Sequence, residues 1–122
     1  MKRDMGLVRE ILIYIEKQPP GKTITQIEIE SSCSDLPTVI EHLSIMIEAG
    51  LLDGEVFGDD TQGWRFMIQK ITWEGHDFLN AVKNDNVWKK LLIIIKEHAT
   101  DLTLDIIKEL GKLYLKQELG IL

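Results

Sequence analysis

The chain has a single cysteine, Cys33, in 122 residues. No disulfide can form within it, and a reducing compartment is expected. Long apolar runs are also missing. The longest, Leu91-Leu92-Ile93-Ile94-Ile95, is far short of the ~20 residues a bilayer-spanning helix needs. No signal-peptide pattern opens the chain, because Met1-Lys2-Arg3-Asp4-Met5 leads into an amphipathic stretch and not into a plain apolar one. The expectation is a cytoplasmic protein with no membrane partner.

Catalytic signatures are equally scarce. His42, His76 and His98 stand far apart, and none lies one helical turn from another histidine or from Cys33, so metal-ligand spacing is lacking. There is no nucleophile elbow, P-loop or dinucleotide-binding glycine pattern. Glu74, His76 and Asp77 cluster in sequence, but at the start of a helix, where acids serve the helix dipole. Cys33 reads as a loop cysteine at a helix entry. A non-enzymatic protein without metal or cofactor is expected. Positive charge is short as well: 14 Lys and Arg against 20 Asp and Glu give a net charge of −6. Phosphate contacts by Lys and Arg supply most nucleic-acid affinity, so a DNA-binding role requires a local basic cluster.

The sequence is otherwise that of one ordinary globular chain, 44% hydrophobic and 28% charged, long enough to bury a core. Residues 3–17 place Leu7, Val8, Ile11, Leu12 and Ile15 at helical spacing, and Pro19-Pro20-Gly21 ends that helix. Residues 23–30 switch to period two, with Thr25, Ile27 and Ile29 on one face and Gln26, Glu28 and Glu30 on the other. That pattern predicts a half-exposed strand. Ser34 or Asp35 caps the next helix, Pro37 sits in its first turn and Gly50 ends it. A hairpin follows, with strands over 55–57 and 64–71 and a tip over 58–63. Thr72 caps a helix carrying Phe78, Leu79 and Val82, and two further helices follow over 87–98 and 104–119.

The stretch Thr38-Val39-Ile40-Glu41-His42-Leu43-Ser44-Ile45-Met46-Ile47-Glu48-Ala49-Gly50-Leu51-Leu52 resembles the recognition helix and following strand of winged-helix transcription regulators. Ile71-Thr72-Trp73-Glu74-Gly75-His76-Asp77-Phe78-Leu79 resembles the entry into the helix after the wing. The opening Met-Lys-Arg-Asp-Met, the Thr-Trp-Glu-Gly-His segment, Val87-Trp88 and the closing Tyr114-Leu115 and Leu119-Gly120 are together similar to an uncharacterised family of small winged-helix proteins encoded in phages and prophages. The resemblance covers nearly the whole chain and brings no established activity with it. It implies an α+β fold: a winged-helix core (helix, strand, helix, two-stranded wing, helix) over residues 1–84, and a C-terminal helical pair over 85–122 packed on it. One departure is visible, since little room remains for the usual second helix before the recognition helix. The function it implies is a phage- or prophage-associated DNA-binding regulator.

The helix over residues 35–49 tests that implication. Leu36, Val39, Ile40, Leu43, Met46 and Ile47 share one broad face, which is the expected core side. The opposite face holds Pro37, Thr38, Glu41, Ser44, Ile45 and Glu48, with His42 at its edge. DNA-reading helices present Arg, Lys, Asn, Gln or Ser to bases and phosphates. Two carboxylates and an isoleucine disfavour DNA and make a protein-interaction module that does not bind it the alternative. Trp64-Arg65 in the wing offers an arginine to a minor groove, against the nearby Asp59 and Asp60. Candidate DNA or partner contacts are therefore Thr38, Glu41, Ser44, Ile45, Trp64 and Arg65. Lys2, Arg3, Lys22 and Lys70 form a candidate basic patch with Arg65 if the fold gathers them. In the C-terminal pair, Leu91 to Ile95 cover most of a helix circumference and predict burial on more than one side. Ile106, Ile107, Leu110, Leu113 and Tyr114 make a stripe where Gly111 permits close approach. These helices pack on the core, or pair with a protein partner or a second copy.

Overall fold

The computed structural model describes residues 3–29, 35–98 and 101–121. Lys2, Cys33 and Ser34 lie outside the described residues. The chain is α+β, with five helices and one two-stranded antiparallel sheet among them: α1 (Met5–Glu16), α2 (Leu36–Glu48), β1 (Leu52–Asp59), β2 (Gly63–Ile71), α3 (Trp73–Val82), α4 (Asp85–Glu97) and α5 (Leu104–Glu118). It divides into two compact units, Met1–His76 and Asp77–Leu122.

In the first unit, α1 starts where the Asp4 carboxylate accepts from the Leu7 N–H at 3.2 Å, satisfying one of the helix's four orphan donors. Its predicted stripe is buried, including Leu7, Val8, Ile11 and Leu12. Each such side chain stabilises the fold by about 1.5–3 kcal/mol. Asp35 is the cap of α2, accepting from both the backbone N–H and the hydroxyl of Thr38. At the other end Gly50 adopts φ +81°. The N–H groups of Gly50 and Leu51 reach back to Ile47 and Met46, a Schellman closure that needs the left-handed conformation glycine supplies. Helix α1 packs on α2 and β2, and α2 packs on β1 and β2.

The strand expected over 23–30 contracts to one bridge. Ile24 exchanges both backbone hydrogen bonds with Ile68, at 2.8 and 2.9 Å, and residues 25–29 continue without a ladder. Alternation records which side chains face inward; it does not supply a pairing partner. Ile27 and Ile29 are accordingly half-buried and Glu28 exposed, with no strand formed. The hairpin is longer than predicted, and its strands approach to a three-residue loop, residues 60–62. Two side-chain bonds explain the tight tip: Asp59 Oδ1 accepts from the N–H groups of Thr61 and Gln62. A bulge leaves Gln69 as the extra residue between the Asp53–Lys70 and Gly54–Ile68 pairs.

In the second unit the buried side chains include Phe78, Leu79, Val82, Val87, Leu91 and Ile107. Helices α4 and α5 run antiparallel. The pairing is marked by Asn86 Nδ2 donating to Glu118 Oε1 at 2.7 Å and by the Lys90 ammonium 5.7 Å from the Tyr114 ring centroid. Asp77 joins Lys108 and Lys112 at 3.6 and 3.3 Å. The run Leu91 to Ile95 is not buried all round. Leu91 is buried while Ile93 is 61% exposed, because five consecutive residues cover the whole wheel and the packed side of α4 is that of Val87 and Leu91. In the α5 stripe Ile107 is buried and Ile106 and Leu113 are exposed.

Two helical glycines are sites of close backbone approach. A Cβ on Gly75 would meet the Leu51 carbonyl oxygen, and one on Gly111 would meet that of Ala81. Helix propensity alone favours alanine over glycine by about 1 kcal/mol. Here the sign inverts: Gly75→Ala and Gly111→Ala are each expected to destabilise by about 1–3 kcal/mol. Urea unfolding midpoints check this, and an unchanged or raised midpoint would contradict it.

Candidate functional site

Within the first unit, the N-terminal half of α2 and the hairpin enclose a groove of about 510 Å³. Leu36, Pro37, Ile40, Glu41 and Ser44 line one wall, and Val56, Gly63 and Trp64 the other. The register explains the second wall. Val56 pairs with Phe66 and Gly58 with Trp64, and paired residues share a sheet face, so Val56, Trp64, Phe66 and Ile68 point to the same side. Phe66 and Ile68 are buried there. Trp64 stays 46% exposed, its indole N–H 3.4 Å from Asp60 Oδ1. Leu36 was assigned to the core face but is 55% exposed. As the first residue of α2 it precedes the turn that packs inward, so it stands at the mouth of the groove instead. Among the described residues, Glu41 is the one ionisable residue in the lining.

Of the six candidate contacts, Glu41, Ser44 and Trp64 come together in this groove, and Thr38, Ile45 and Arg65 do not line it. Thr38 is occupied at the α2 cap. Ile45 is half-buried, not exposed. Arg65 pairs with Phe57 on the opposite face of the hairpin, its guanidinium carbon 5.3 Å from the Phe57 ring centroid, in cation–π range. Lys22 and Lys70 do meet, along a separate groove of about 300 Å³ that His76 also lines. Lys70 pairs there with Asp53 at 3.8 Å. Five residues of strand, about 16 Å, separate Lys70 from Arg65, and Arg3 lines neither groove. Leu36, Pro37, Ile40, Val56 and Gly63 are the lining residues that sequence reasoning did not single out as contacts.

The first unit also buries two polar groups, the ring of His42 on α2 and one carboxylate oxygen of Glu10 on α1. His42, placed at the edge of the exposed face by its position on the wheel, is instead 0% exposed. Its Nε2 accepts from the Asp4 backbone N–H at 2.9 Å, and its Nδ1 lies 2.8 Å from the Thr38 carbonyl oxygen. A carbonyl only accepts, so Nδ1 carries the proton and the ring is neutral. Both ring nitrogens are spent on backbone, a structural use and not a ligand's. Glu10 lies on α1, with Oε2 buried and lacking a hydrogen-bond partner among the described residues. Burial, and next the Asp4 carboxylate, raise its pKa above the ordinary 4.5, while Arg9 pulls the other way. Among the described residues no group of three or more His, Cys, Asp or Glu could hold a metal, and no helix is long and apolar enough to cross a membrane.

An α+β chain in which an exposed helix face and a hairpin flank one groove is compatible with a winged-helix-like arrangement. The chain belongs to the family described as "Hypothetical protein (DUF2513)", whose model matches residues 2–101. It is similar to a Haemophilus influenzae protein described as "Uncharacterized protein", with 30% identity over 120 residues, covering 98% of this chain and 100% of that one. No solved structure matches.

Two consequences of the buried polar pair are measurable. His42→Leu leaves the Asp4 N–H without its acceptor, and the expected loss is about 1–3 kcal/mol, read as a lower urea midpoint. Glu10→Gln works in the opposite direction. A carboxyl whose folded pKa is raised costs stability as pH climbs through that pKa, and costs nothing below the unfolded value of 4.5. Glu10→Gln should therefore raise the thermal midpoint at neutral pH, with the gain vanishing below pH 4.5. A gain that persists at acid pH would point away from ionisation.

Proposed function

We propose that this chain is a winged-helix-like binding module that recognises a protein through the α2–hairpin groove. The observation that carries the reading is the chemistry of the surface such a module would present. Among the described residues, its lining contains four apolar side chains besides Pro37, one carboxylate and no lysine or arginine. A DNA-facing surface needs cations to displace the counterions of the phosphate backbone. A partly exposed tryptophan beside a concave apolar surface is instead what protein interfaces use as an anchor.

A DNA-binding regulator, in the phage or prophage setting that the sequence resemblance implies, is the second reading. It is favoured by the order of helix, bridge, helix and hairpin, and by Arg65 on the outer face of the hairpin. Against it stand Glu41 on the helix, Asp59 and Asp60 at the hairpin tip, and the separation of Lys22 and Lys70 from Arg65.

Fluorescence anisotropy with random duplex DNA, titrated from about 20 to 200 mM salt, separates the two. The expected result is no binding even at the lowest salt. Affinity that falls steeply with salt, and that Arg65→Ala weakens, would replace the protein-binding reading with the regulator.

A further inference from the structure

We infer that the groove takes an extended segment of a different protein, with apolar residues at alternate positions and lysine or arginine between them, laid along the outer edge of β1. The inference rests on the protein-binding reading and names the partner's chemistry.

The edge comes first. Among the described residues, β2 is flanked by β1 on one side and bridged to Ile24 on the other, while β1 pairs only with β2. Alternate N–H and C=O groups along its eight residues therefore point away from the sheet, a ready template for one more strand.

The two faces of β1 then set the pattern of the guest. On the groove side stand Gly54, Val56 and Gly58, of which Val56 lines the groove. Alternate side chains of an added strand would enter the apolar space between Trp64 and Leu36. On the opposite side stand Asp53, Glu55 and Asp59, all exposed. Of these, Asp53 is partnered by Lys70, whereas Glu55 enters no ion pair among the described residues. The guest's remaining side chains would lie beside this acidic row, where opposite charges stabilise cross-strand neighbours and like charges oppose them. Inside the groove, Glu41 adds a carboxylate on the same side as the apolar anchors.

The same charges argue against a second copy as occupant. Antiparallel pairing of β1 with its own twin would set Asp53, Glu55 and Asp59 of the two copies against each other. The extended residues 25–29, with Glu28 between Ile27 and Ile29, carry the apolar alternation but the wrong sign of charge. A cationic segment from another chain meets both demands.

The test is selection of a random-peptide display library on the whole protein, followed by affinity measurements on the peptides retained. Retained peptides should alternate apolar and basic residues. Glu55→Lys and Trp64→Ala, both at exposed positions, should each weaken binding at least about tenfold. N-methylation of alternate peptide amides should abolish binding in one frame only, the frame that faces β1. Peptides that need Trp64 but are acidic, neutral or of helical period would overturn this inference and leave the protein-binding reading in place. Peptides indifferent to Trp64 and Glu55, or a dimer by light scattering that Trp64→Ala dissociates, would also overturn it, the second by assigning the site to another copy. No peptide retained above background would reject both.

Discussion

The imidazole of His42 joins the start of one helix to the first turns of another. Its Nε2 receives the backbone N–H of Asp4, the residue that caps α1, and its Nδ1 donates to the Thr38 carbonyl near the beginning of α2. Each bond is ordinary alone, and their combination is directional in a way that apolar packing is not. Helix α1 packs on both α2 and β2, and α2 on both strands. Leu7, Ile11, Leu43 and Met46 provide the buried area, and area is indifferent to small rotations. A neutral ring with both nitrogens engaged selects one rotation. That pose decides which residues of α2 are left over for solvent, and so the composition of the groove.

Charge is distributed to match. The hairpin tip, the outer face of β1 and the exposed side of α2 are acidic, while Lys22 and Lys70 lie along another groove of the same unit. Glu41, Glu55, Asp59 and Asp60 thus share α2 and the hairpin with the apolar lining of the groove. Acidic residues around an apolar groove keep it soluble and discourage its filling by another copy, while leaving it attractive to a cationic partner.

Helices were the most legible part of the chain. Each of the five has a visible cap or terminator, and the predicted bounds fall within a few residues of those observed. Pairing was less legible. Residues 23–30 alternate like a strand, yet a single residue, Ile24, finds a partner, since alternation is a property of one segment and pairing of two. The site was half legible for the same reason. Glu41 and Ser44 could be named because they fall on the polar side of α2, and Trp64 because it stands beside Arg65 at the glycine-rich tip. Trp64 and Arg65 could not be assigned to faces, because counting by twos from Ile71 fails at Gln69, whose extra residue resets the alternation. His42 was misplaced because a helical wheel describes angle, not depth; its position is apolar in direction and polar in chemistry.

The base of the hairpin has a different consequence. The Thr72 hydroxyl donates to the Gly50 carbonyl and accepts from the Gly75 N–H, and the Thr72 N–H reaches the Leu51 carbonyl. The end of α2 and the start of α3 are thus fastened together without help from the loop at residues 60–62. Once the two ends are closed, lengthening the excursion between them adds only a slowly growing entropic term. In evolutionary terms the clamp uncouples inheritance of the scaffold from inheritance of its specificity. Descendants can recompose or extend the tip, and with it the company the protein keeps, while the helices remain where they were.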